Sequence, residues 1–310
     1  MAEFDEAVVA GAQGQQHALR ERVALVQLCV STLLFGACFV AQKRAMGDGM
    51  APITFTAARY VVSLVFLLVV KLLVRDRLLQ TTIDEGSRTV DSRSYSPQRM
   101  VWETVLWGGL CGLSSTLGSN LQQVGLVTVT AGKAAFYTAL YVIGVPIVEW
   151  CLPGFGAKLT WRVWTSAVVS VVGTYLLSGC ATDACFRAGG SASHWGDVVV
   201  IVSMFCWVFS IISCDVATKR GVNGLTFTLV EFGVCTVATL ILSWVFEPHA
   251  WVDIAGSVRV SWRMVVFCGV GEALSFLFAT LGQVRSRLSG HAARAATLCA
   301  LILVPLLPTR

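Results

Sequence analysis

Apolar runs about twenty residues long recur along this 310-residue chain, and that feature alone dictates its fold class. Hydrocarbon offers no hydrogen bonds, so each run must satisfy its own backbone N–H and C=O groups, and it does so as an α-helix. Charge supports this: 13% of residues are Asp, Glu, Lys or Arg, against about 25% in soluble domains. Mean hydropathy is +0.72. The chain reads as an all-α polytopic membrane protein with the lipid bilayer as its surroundings.

The runs predict about nine spans. They are Val23–Ala41, Ile53–Val74, Val101–Gln122, Thr128–Trp150, Val163–Leu177, Asp197–Val216, Leu225–Phe246, Met264–Gln283 and His291–Leu307. The third carries Gly108, Gly112, Ser115 and Ser119, small residues that permit close helix approach. Residues 1–22 form a polar N-terminal tail without the order of a cleaved signal peptide. The first span is therefore expected to serve as an uncleaved targeting signal. Residues 75–98 and 180–196 read as polar loops.

Lys and Arg side the termini. With the N-terminus in the cytoplasm, that side holds Arg20, Arg22, Lys71, Arg75, Arg77, Arg88, Arg93, Arg99, Lys158, Arg162, Lys219, Arg220, Arg285 and Arg287. The other side holds only Lys43, Arg44, Arg187, Arg259, Arg263 and Arg310. The positive-inside rule favours this orientation. The net charge of +5 is thus a matter of topology, and no nucleic acid is expected as a partner.

The fourth span is unusual. Lys133, Tyr137 and Tyr141 stand at i, i+4 and i+8, one polar stripe on an otherwise apolar helix. Such a stripe is expected to face other helices or a water-filled path.

The chain also repeats itself weakly. Ile53-Thr54-Phe55-Thr56-Ala57-Ala58-Arg59 aligns with Leu225-Thr226-Phe227-Thr228-Leu229-Val230-Glu231 at an offset of 172. Gln123-Val124 precedes Val145-Pro146 much as Gln283-Val284 precedes Val304-Pro305, at an offset of about 160. A first unit of five spans forces the second to enter the membrane from the other side, which predicts an inverted repeat of five-helix units. The units are 23–179 and 197–310, joined by the loop 180–196. Arg59 and Glu231 become symmetry mates. By the same spacing the second unit is expected to be one helix short at Arg310, its tenth helix missing.

Several segments resemble a known family. They are Phe35-Gly36-Ala37-Cys38-Phe39-Val40-Ala41-Gln42-Lys43, Pro52 to Arg59, and above all Gly125-Leu126 with Thr130 to Val142, Val145-Pro146 and Glu149-Trp150. Gly196-Asp197 and Gly282-Gln283 match more loosely. Together they resemble EamA-type members of the drug/metabolite transporter superfamily. The resemblance implies ten helices in two inverted repeats and export or exchange of small polar or amphipathic metabolites, often driven by an ion gradient. A small-molecule metabolite and protons are the partners it suggests, and a homodimer stays open.

A charge in hydrocarbon costs roughly 2.5–3.5 kcal/mol, so Arg59, Lys133, Glu231 and Glu272 are the candidate site residues. Each has a plainer alternative. Arg59 pairs with a helix end or snorkels, Lys133 snorkels, and Glu231 pairs with a base near the cytoplasmic side. Glu272 has neutral sequence neighbours and reads as a proton-coupling carboxylate or as the partner of Arg59 or Lys133. Tyr137 and Tyr141 line a substrate cavity or simply pack, and Trp207 and Gln283 are further cavity candidates.

An enzyme is not expected, because His17, His194, His249 and His291 are scattered. The eleven cysteines contain no CxxC pair, so neither a metal site nor a cofactor is expected, although Cys180 and Cys185 share a loop. The reading is a secondary metabolite transporter working by alternating access. The alternative is a transport-dead interaction or regulatory protein lacking its last helix.

Overall fold

A computed structural model describes residues 2–73, 96–151, 161–177, 193–252 and 254–288. Among these residues the chain is helical, with no strand. Its helices are α1 (Ala2–Gly47), α2 (Pro52–Leu73), α3 (Pro97–Thr128), α4 (Ala131–Ala139), α5 (Tyr141–Cys151), α6 (Trp161–Leu177), α7 (Ser193–Lys219), α8 (Gly224–Phe246), α9 (Pro248–Val252) and α10 (Ile254–Leu288). Six stretches are long and apolar enough to cross a membrane: Arg22–Gly47, Pro52–Leu73, Ala131–Cys151, Trp195–Lys219, Gly224–Phe246 and Arg259–Gly282. The protein is an integral, multi-pass, all-α membrane protein.

Side chains set the helix starts. Ser96 caps α3 by accepting from Arg99 N, with Pro97 in the first turn. Thr130 caps α4 and Asn223 caps α8 in the same way. The turns α1–α2 and α7–α8 share one backbone solution. Gly49 (φ 85°) and Gly221 (φ 74°) each take the left-handed conformation, which suits glycine. The next residue then donates back, Met50 N to Ala45 O and Val222 N to Ala217 O.

Packing comes in pairs. The most extensive contacts are α3 with α7 and α1 with α10, followed by α8 with α3, then α8 and α10 with α2. Glycines allow the closest approaches. A Cβ on Gly125 would lie 2.4 Å from Val200, and one on Gly282 would lie 2.8 Å from Leu28. Two long-range caps tie helix ends together. Lys43 Nζ donates to the carbonyls of Leu126, Val127 and Val129 at the end of α3. Glu247, at the end of α8, accepts from Ile53 N, Thr54 N and Thr54 Oγ1 at the start of α2.

Several expectations change. The fourth span is not one continuous helix: Leu140 separates α4 from α5, and Pro146 lies inside α5. The third span runs on past its expected end at Gln122 to Thr128. Helix α7 begins at Ser193, inside the expected 180–196 loop. The ninth span, Arg294, Cys180 and Cys185 lie outside the described residues.

Candidate functional site

Arg59 on α2 is buried to 1% exposure and ion-pairs with Glu272 on α10, itself 3% exposed. Arg59 Nη1 and Gln42 Nε2 on α1 donate to the same oxygen, Glu272 Oε1, the amide at 3.1 Å. The guanidinium carbon lies 5.5 Å from the Tyr60 ring centroid and 5.8 Å from that of Phe55. Three polar atoms of this cluster are buried without a hydrogen-bond partner: Gln42 Oε1, Arg59 Nε and Glu272 Oε2. Neither Arg59 nor Glu272 reaches solvent, so snorkelling is ruled out, and the neutral sequence neighbours of Glu272 are not its spatial ones.

Glu231 on α8 is equally buried, at 2% exposure, but its surroundings differ. Ser115 Oγ donates to Glu231 Oε1 at 2.9 Å and Cys111 Sγ does so at 3.3 Å, both from α3. Ser210 of α7 closes the cluster, 2.9 Å from Ser115 Oγ. Among the described residues no cation pairs with Glu231, so the expected basic partner is absent from them.

The two clusters occupy matching places. Adding 172 to positions on α1 and α2, and 157 to positions on α3, converts one set of contacts into the other. Gly269 meets Val62 and the Arg59 carbonyl, while Gly112 meets Val234 and the Glu231 carbonyl. Ser63 Oγ donates to Gly269 O, and Cys235 Sγ donates to Gly112 O. Cys268 Sγ donates to Cys38 O, and Cys111 Sγ donates to Ser210 O. Gly49 and Gly221 also stand 172 apart. Position by position, Arg59 corresponds to Glu231 and Glu272 to Ser115. The expected offset of about 160 for the third helices therefore becomes 157, and Gln283 is not the counterpart of Gln123.

Two pairs of positions 172 apart touch each other. Phe35 and Trp207 pack with ring centroids 6.0 Å apart, and Tyr60 and Phe232 with centroids 5.6 Å apart. Trp207 is buried, and its Nε1 donates to Gln122 Oε1 at 3.0 Å. Beside it, Tyr60 and Ser119 share a hydroxyl hydrogen bond. One turn beyond Ser119, Gln123 is fully buried with neither amide atom partnered.

Lys133 lies away from these clusters. It is buried at 6% exposure and pairs with Asp197 of α7 at 2.7 Å, with Tyr137 beneath it at 5.8 Å. Asp197 is the partner sequence reasoning missed; an acidic residue at the head of an apolar helix was the available signal. Despite the turn at Leu140, the stripe keeps to α7, as expected of a polar face that meets another helix. Tyr137 packs on Phe39, Leu126 and Val200, and Tyr141 on Met204, Val208 and Ile212. The helical position of Gln283 is described but its side chain is not.

Residues 22–179 match the model of the EamA-like transporter family, a stretch nearly coincident with the expected 23–179 unit. No curated protein matches the chain.

Proposed function

The chain belongs to the EamA-like transporter family, of the drug/metabolite transporter superfamily, and we propose that it is a secondary transporter of small metabolites working by alternating access. Its two units, 23–179 and 197–310, are read as inverted repeats, with the N-terminus cytoplasmic. The observation that carries this reading is the Arg59–Glu272–Gln42 cluster, which joins α1 and α2 of the first unit to α10 of the second.

A rigid membrane scaffold gains little from an ion pair in a low-dielectric interior, because desolvating both charges offsets most of their attraction. A transporter uses such a pair differently. When the units part, the pair opens, and both charges meet water or substrate. The buried atoms Arg59 Nε, Glu272 Oε2, Gln42 Oε1 and the whole Gln123 amide are unused capacity for that moment. Donors and acceptors together suit a zwitterionic or polar metabolite. Lys133 with Asp197 and Tyr137 serves as a second polar contact on the path, and Tyr141, Trp207 and Gln283 remain cavity candidates.

The test is counterflow in proteoliposomes against pools of amino acids, organic acids and nucleotide-linked sugars. Wild type is compared with Arg59→Met/Glu272→Met, which keeps volume and removes both charges. Saturable exchange by wild type, lost in a folded double variant, supports the reading. Exchange untouched by the double variant removes the cluster from the transport path. No exchange by wild type with any pool overturns the transporter reading.

A further inference from the structure

We propose that Glu231 is a reversible proton-binding site, separate from the Arg59–Glu272 pair. In the closed arrangement its carboxyl is held as the neutral acid between α3, α7 and α8. The proposal rests on the transporter reading only for its consequence, that the proton is the coupling ion.

Geometry carries it. The position that pairs with Glu231 by the 157 offset is Ser115, where the other half places Glu272 opposite a guanidinium. A serine supplies a neutral donor and no charge. Ser115 and Cys111 both address Oε1, so that oxygen behaves as the carbonyl of an acid and Oε2 is left to carry the hydrogen. Burying an unpaired ionised carboxylate costs several kcal/mol, and two neutral donors on one oxygen offset only part of it.

Other ionisable groups nearby do not change this. From α3 Glu231 is faced by Cys111, whose cluster includes Cys214 of α7. Cys235 follows one turn later on α8, and Tyr60 of α2 packs on Phe232. On α10, Glu272 is occupied by Arg59, and two turns back along α3 Glu103 is occupied by Arg220. The contacts are too close for a hydrated cation: Ser115 Oγ sits 2.9 Å from both Glu231 Oε1 and Ser210 Oγ. A proton needs no added space. When α3, α7 and α8 separate, Glu231 gives its proton to water, and on closure it takes one back; no other bond forms or breaks.

Dicyclohexylcarbodiimide, a lipid-soluble reagent that attacks protonated carboxyls, tests this without any substrate. The full-length protein is labelled in liposomes across a pH series, and adducts are located by mass spectrometry. Expected is an adduct at Glu231 that falls about ten-fold per pH unit above its midpoint, vanishes in Glu231→Gln, and persists in Arg59→Met/Glu272→Met. Glu231→Asp, which keeps an acid at the position, should restore labelling if Glu231→Gln proves unstable. Labelling confined to Glu272, labelling of Glu231 that ignores pH, or protection by sodium at constant pH overturns the proposal. Labelling as expected in a protein without exchange activity would preserve the proton site and sink only the transporter reading.

Discussion

The Arg59 and Glu231 clusters share a backbone frame and differ in charge. Each lies beside a glycine that lets its helix approach a neighbour's carbonyl, and each has a hydroxyl or thiol bonding that glycine's own carbonyl. One frame holds a cation and an anion; the other holds a lone acid among serines and a cysteine. A shared frame therefore fixes where a polar group sits without fixing its chemistry. Two ionisable clusters of different charge are built from one plan.

The sharpest break of the comparison removes a charge from one cluster only. Glu272→Ala leaves the Arg59 guanidinium buried and unpaired, and should lower stability in detergent by about 3–5 kcal/mol. Thermal unfolding followed by circular dichroism reads this loss, and Arg59→Met added to Glu272→Met should recover most of it. Glu231→Gln, by contrast, keeps an acceptor for Ser115 and should cost about 1 kcal/mol or less. Equal losses at the two positions would refute the contrast in charge.

A second pair of variants tests the shared frame. In Gly112→Ala the new Cβ would lie 2.8 Å from the Glu231 carbonyl oxygen, and in Gly269→Ala 2.8 Å from that of Arg59. Each should cost about 1–3 kcal/mol through overpacking. The two losses should agree within about 1 kcal/mol if the frames match. The smallest effect is expected one turn further on: Ser63→Ala and Cys235→Ala each remove a donor to a glycine carbonyl that already has a helical partner, for about 0.5–1 kcal/mol. A much larger loss at either would mean that its half relies on that bond differently.

How much of this was legible follows helix by helix. The 172 offset could be read because Thr54-Phe55-Thr56 and Thr226-Phe227-Thr228 open helices with the same residues. The third-helix offset was misread because Gln-Val pairs recur by chance in apolar sequence. Cys111-Gly112 and Cys268-Gly269 were the better signal, since a glycine at a close helix contact cannot be replaced cheaply. Arg59, Glu231 and Glu272 stood out as charges in hydrocarbon. Their partners did not, because Gln42, Ser115 and Cys111 are ordinary residues made decisive only by packing. The polar stripe of Lys133, Tyr137 and Tyr141 was legible as a face that meets another helix: despite the turn at Leu140, all three residues lie against α7.

The carboxylate of Glu247 on the first amides of α2 has a consequence for biogenesis. Those amides are made nearly two hundred residues before the group that satisfies them, the separation to Ile53 being 194. While the ribosome works through the intervening helices, the start of α2 must stay against water or lipid headgroups. Only when α8 emerges and turns can that end be drawn in. That end of α2 is therefore inserted early and capped late, once the last turn of α8 has been made.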